Sequence, residues 1–330
     1  MTPKENYLRM LSGEIPEFVP SGFFEPHGKP IREELLTPQA APDGPIVTSI
    51  GVKYVGSEDL NYGAMPEPGF IVIDDIRKWR DQLKIRDVTG RDWEGYYKDQ
   101  LKDIDREQFC VSTGGGDFFL TLVSLMGFEG ALLAMHEEPE EVTALLEHIA
   151  EFYFMVMKQQ MRWVNPDIVG LMDDDAALHA PFFSLQMYRD LIKPFHKRYC
   201  DIALENGCYI DRHDCGKSEQ FIDDWLEIGI RSWNPVQTTN DCKGIKKKYL
   251  GRLALAGCWN LKEATGSDNP TDEQLKDALA EYVDTYAPGG GFSFSAGGGI
   301  GNQDDPAVVH RREVTKDFYF DYVRDWYKTH

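Results

Sequence analysis

The chain has 330 residues, 42% of them hydrophobic and 12% aromatic, and a formal net charge of −20. That length suits one βα barrel with an N-terminal extension, and the apolar content supports a sizeable core. So negative a field excludes duplex nucleic acid and anionic membranes as partners. No apolar run approaches the ~18 residues of a membrane span. The six cysteines lack disulfide-framework spacing, and Met1-Thr2-Pro3-Lys4-Glu5-Asn6 is not an apolar signal region, so the expected setting is the reducing cytoplasm.

In chain order, an early strand is expected at residues 19–24 and a further one between 46 and 73, where 49–55 and 70–73 compete. Beyond that, short β-branched or aromatic runs alternate with helical patterns. Strands are expected at 109–113, 168–172, 208–211, 232–237, 253–256 and 292–295. Helices are expected at 137–163, opened by Glu137-Glu138-Pro139-Glu140-Glu141, and at 184–205, capped by Ser184 and ended before Gly207. Others are expected at 218–228, at 271–286 behind a Thr271 cap, and at 305–327 with Pro306 in the first turn. Alternating strands and helices imply a parallel sheet. A doubly wound sheet would show a Gly-x-Gly-x-x-Gly turn after its first strand, and none occurs there. The expected fold is therefore an α/β single domain over residues 1–330, a (β/α)8 TIM barrel.

Such barrels build their sites from the loops after the strands. Here those loops hold Glu25-Pro26-His27, Gly114-Gly115-Gly116-Asp117, Asp173-Asp174-Asp175, His213-Asp214-Cys215-Gly216, Thr238-Thr239-Asn240-Asp241, Cys258-Trp259-Asn260 and Gly297-Gly298-Gly299. The set points to an enzyme. His213 and Cys215 stand two apart, so strand alternation puts both on one side. They could share a zinc ion given a third ligand from elsewhere, or form a hydrogen-bonded polar site without metal. In the acidic run, Asp173 and Asp175 should point one way and Asp174 the other. Crowded carboxylates repel, so one can hold its proton and act as an acid, while another caps the following helix. The glycines at 297–299 suit a tight turn near a ligand, since Asp304-Asp305 argues against a phosphate there. Phe24, Trp259 and other aromatics near strand ends could wall an apolar ligand.

These residues resemble the uroporphyrinogen-decarboxylase superfamily. The stretch from Thr2 to Glu14, through Val19-Pro20, looks like its opening helix and first strand. His213-Asp214-Cys215-Gly216 looks like its His-x-Cys-Gly loop. Ala256-Gly257-Cys258-Trp259-Asn260 and Ser295-Ala296-Gly297-Gly298-Gly299-Ile300 look like its later strand ends. The resemblance implies a barrel with an N-terminal helical extension. One branch decarboxylates a tetrapyrrole through an Arg-rich N-terminal motif, but Ser21-Gly22-Phe23-Phe24-Glu25-Pro26-His27 has no arginine. The other moves methyl groups to or from corrinoid proteins, and the stretches around Trp79, Trp93 and 125–141 look most like its ether-cleaving members.

The implied function is methyl transfer from a small donor, an aryl methyl ether, to the cobalamin of a corrinoid protein partner. His213, Asp174, Asp173 and Cys215 are the expected catalytic residues. Phe24, His27, Asp175, Asn234, Cys258, Trp259 and Gly298 are expected to hold substrate. In the coenzyme M enzymes of this branch, zinc sits on His-x-Cys plus a late cysteine. Here that last position falls near Gly298, which leaves His213 and Cys215 short of a third ligand; Cys258 or an Asp of 173–175 could replace it. The alternatives are a lyase of a small carboxylic acid and a non-catalytic corrinoid-binding module. The oligomeric state is open, a homodimer included.

Overall fold

The computed structural model describes residues 1–36, 44–57, 63–296 and 305–330. The expected glycine loop at 297–299, Gly298 included, lies outside the described residues. Among the described residues, ten strands form two sheets: β1 (Gly28–Pro30), β2 (Ile46–Val47), β3 (Lys53–Ser57), β4 (Gly63–Pro66), β5 (Cys110–Gly115), β6 (Ile168–Met172), β7 (Tyr209–His213), β8 (Ile230–Val236), β9 (Ala254–Gly257) and β10 (Phe292–Ser293). Seven run parallel in the order β1-β5-β6-β7-β8-β9-β10. The helices between them pack around this curled sheet as in a TIM barrel.

The N-terminal segment spans the gap between the edge strands. Pro20 accepts from the Phe294 N–H (2.8 Å), beyond the end of β10, and His27 accepts from Cys110 at the start of β5 (2.8 Å). The expected strand at 19–24 is thus corrected. Only Val19-Pro20 lies along the barrel edge, because the chain then turns tightly, with Ser21 bridged to Glu25. The regular strand follows at β1. The strand sought between 46 and 73 is also not a barrel stave. Residues there form a separate antiparallel sheet, β2-β3-β4, and 70–73 is held against the helix Phe119–Met126 by N–H groups of Val72 and Ile73 on Leu125 O.

The expected helices are present, with two interruptions. The helix Pro139–Trp163 carries Pro139 in its first turn. Ser184 caps its segment through the Met187 N–H (3.1 Å), but the run widens into a π turn at Tyr188–Ile192 before Lys193–Glu205. Pro194 there has no N–H to continue the ladder. Thr271 caps Asp272–Tyr286 in a reciprocal box with Gln274. The C-terminal run is likewise broken after Phe318.

The core lies mainly between sheet and helices. At the bottom of the barrel, Tyr7, Met10 and Leu11 of the helix Pro3–Leu11 pack on Cys110, Ile168 and Ala254. Small residues leave room inside the barrel: a Cβ added at Gly114 or Gly170 would meet the Met172 side chain, at 3.7 and 3.5 Å. Among the described residues no single helix is long and apolar enough to cross a membrane.

Candidate functional site

Pairing of β6 with β7 sets Met172 opposite His213. Two residues on from Met172 stands Asp174, and two on from His213 stands Cys215. Asp174, His213 and Cys215 therefore converge, each half-buried, with one donor atom apiece within 4.8 Å of the others. His213 Nε2 lies 3.8 Å from Asp174 Oδ1 and 3.8 Å from Cys215 Sγ. The Cys215 N–H donates to the same Asp174 oxygen (2.8 Å) and fixes it. A tetrahedral Zn²⁺ with bonds of ~2.1 Å to N or O and ~2.3 Å to S separates its donors by roughly 3.4–3.6 Å. The donor set fits such an ion, with Asp174 in the place of the missing ligand.

The imidazole is set for this role. The Asn234 amide nitrogen donates to Asp211 Oδ2 (2.7 Å) and lies 3.4 Å from the Arg212 carbonyl, which can only accept. Its Oδ1 must then face His213 Nδ1 (3.2 Å). Nδ1 carries the proton, and Nε2 presents its lone pair toward Asp174 and Cys215. Burial, reinforced by Asp174 and Asp214, pushes the Cys215 thiol up to about 12.

The loops that carry these groups are locked together at Gly216. Its φ is +82°, and a Cβ would lie 2.5 Å from the carbonyl oxygens of both Ala176 and Ala177. Lys217 N–H donates to Ala177 O (2.9 Å), and Gly216 N–H to Gln237 Oε1 (2.9 Å).

The alternating neighbours point away from the mouth, as strand geometry requires. Asp173 and Asp175 are buried while Asp174 faces the barrel. The expected catalytic role of Asp173 is corrected by its partners. It accepts from the N–H groups of Phe118, Phe119 and Leu120 (2.8–2.9 Å), capping the helix Phe119–Met126, and contacts His196 Nε2 (3.1 Å). Asp175 is not a substrate ligand either. With Asp214 it pairs the fully buried Arg212 behind the strand. Burial raises both carboxyls, against the pull of Arg212.

A cavity of about 1040 Å³ on the β7–β10 side borders the cluster through Asn234 and Gln237, which contact His213 and Gly216, while Asp174, His213 and Cys215 themselves do not line it. His27, Asn234 and Trp259 line it as expected. Cys258 does not: it is buried and adopts φ +57° after Gly257. Phe24 packs behind the wall on Phe294 and Tyr319, at 6.2 and 5.6 Å between ring centroids, and the exposed Phe23 takes the rim.

Sequence reading missed Tyr7 and Asp211 in the cavity floor and Glu263 at its edge. Tyr7 stacks on His27 at 3.5 Å. Burial drives the His27 pKa down to about 4, so the ring is neutral at pH 7, and its buried Nδ1 has no partner among the described residues. Asp117, after β5, stands in the strand-end set without an expected role of its own. Its buried Oδ1 has no partner there either, and burial followed by the charge of Asp173 raises its pKa well above the usual carboxylate range. An acid closing a glycine run at a strand end was the signal available for it.

A parallel βα barrel with its titratable groups gathered at the strand ends is the class that fold and site define. The chain belongs to the uroporphyrinogen decarboxylase (URO-D) family, which it matches over residues 107–312. Among solved structures it is similar to a methyltransferase from Methanosarcina mazei, with a TM-score of 0.59 and 12% identity, over 97% of this chain and 99% of that one. At that identity the likeness is one of fold. No curated protein matches the chain.

Proposed function

We propose that the chain is a methyltransferase that takes a methyl group from a small donor in the cavity and passes it to the cobalamin of a corrinoid protein. The observation that carries this reading is the convergence of Asp174, His213 and Cys215 beside the cavity. The fold shared with a protein named as a methyltransferase supports it, as does family membership.

Asp174, His213 and Cys215 would hold Zn²⁺, which would supply Lewis acidity to a leaving heteroatom that keeps a lone pair, such as an ether oxygen. The chain's own groups do the rest. Asn234 fixes the His213 tautomer and, as a cavity wall, meets the donor. Trp259 offers an aromatic face to a ring, which suits an aryl methyl ether. A lyase of small carboxylic acids is less well supported, because no lysine or arginine lines the cavity among the described residues to receive a carboxylate.

The test mixes the purified protein with a reduced corrinoid protein and a panel of methylated donors, and follows the corrinoid absorbance. Methylation of the corrinoid is expected with at least one donor, and loss of turnover in His213→Ala and Asp174→Ala. A corrinoid left unmethylated by every donor, or carbon dioxide released from a small acid without corrinoid, overturns the reading.

A further inference from the structure

The charges around the cavity are one-sided. Asp211 lies in its floor and Glu263 at its edge. Asp211 accepts only from neutral groups, Ser232 Oγ (2.5 Å) and Asn234 Nδ2 (2.7 Å), and no ion pair to it occurs among the described residues. No lysine or arginine lines the cavity there, and residues 297–304, which continue the chain from its wall, contain neither by sequence. The nearby Lys217 is turned away, on Thr239 O (3.3 Å) and Glu219 Oε1 (3.6 Å). His27 is neutral. Phe23, Trp259 and Tyr7 add aromatic rings to the lining, Tyr7 stacked on His27.

Aromatic rings beside acidic groups, with no lysine or arginine lining the cavity among the described residues, form an environment that attracts a quaternary ammonium.

We propose that the cavity selects a methyl donor with a permanent positive charge, an aryl or alkyl quaternary ammonium, over a neutral ether or an anion. This rests on the methyl-transfer reading and names its donor class. The chemistry balances without further reagents. The C–N bond breaks with its electron pair left on nitrogen, the methyl carbon bonds to the reduced cobalt of the corrinoid protein, and a neutral tertiary amine leaves. No proton is consumed, and the amine leaves uncharged, so its departure needs neither an acid nor a metal. The unpartnered His27 Nδ1 remains to hydrogen-bond a polar group elsewhere on the donor.

The test is calorimetric binding to the whole protein of three probes that share a phenol ring: (4-hydroxyphenyl)trimethylammonium, its neutral isostere 4-tert-butylphenol, and 4-methoxyphenol. The ammonium should bind about tenfold tighter than either neutral probe. Trp259→Leu and, independently, Glu263→Gln should shrink that ratio. Equal affinities, tighter binding of either neutral probe, or no ammonium binding at millimolar concentration overturns the inference. The two readings fail separately. Selective ammonium binding with no methyl transfer to a reduced corrinoid protein sinks the activity but not the preference. Methyl transfer from 4-methoxyphenol by a protein that ignores the ammonium sinks the preference alone.

Discussion

His213 has two ring nitrogens with two different employers, and Asn234 decides between them. Because the Asn234 amide is anchored on Asp211 and the Arg212 carbonyl, its oxygen can only receive the His213 Nδ1 proton. Asn234→Leu should therefore lower zinc affinity by about 10–100-fold without removing a ligand, measured by competition with a chelator. Asp174→Asn should lower it too, while the late Cys258, buried and not among the three converging donors, should be replaceable by Ser with metal content unchanged. The sequence made His213 and Cys215 legible, since a spacing of two on a strand needs only alternation. It left the third donor open among Cys258 and three aspartates. That choice depends on which residue of β6 stands beside which residue of β7, and strand register between segments so far apart in the chain is not written in any local pattern.

At the scale of elements, two devices hold the mouth. Asp173 closes the first turn of the helix Phe119–Met126 by taking three of its free N–H groups. Asp173→Ala should cost on the order of 2–3 kcal/mol, above a surface cap, because those donors are buried. Gly216 lets the His213 and Asp174 loops touch. Its positive φ, and carbonyl oxygens only 2.5 Å from where a Cβ would stand, leave no space for a methyl. Gly216→Ala should lower both metal content and the denaturation midpoint. The strands after residue 109 were readable to within a residue or two, because each combines an apolar run with a turn signal. The first stave was not. Val19 to Phe24 has the composition of a strand, but Phe23 and Phe24 stand on a turn, one facing solvent and one the core. Composition does not distinguish an aromatic turn packed on a barrel rim from a strand.

For the whole molecule, stability rests on buried polar groups as well as on the apolar core. Arg212 is fully buried between Asp175 and Asp214. Arg212→Met leaves two carboxylates without their cation and should destabilise by about 3–5 kcal/mol in urea unfolding. Acid acts elsewhere. His196 is fully buried, and desolvation lowers its pKa to about 4 from 6.5. The unfolded chain therefore takes up the proton first, so this stabilising contribution is complete above pH 6.5 and is lost as pH falls toward 4. The loss should reach about 2 kcal/mol at pH 5. Comparing the urea midpoints of the wild type and His196→Gln at pH 7 and pH 5 isolates it from relief of the −20 net charge; equal shifts in both proteins would refute it.

Asn234 lines the cavity and contacts the ring of His213, and that double membership would make occupancy of the cavity and of the metal site partners in one equilibrium. A donor that steadies the amide also steadies the imidazole, so it must raise the affinity for zinc. By reciprocity zinc must then raise the affinity for the donor by the same factor. The barrel would thus discourage each half-loaded state, and a chelator titration with and without donor would read the size of that cooperation directly.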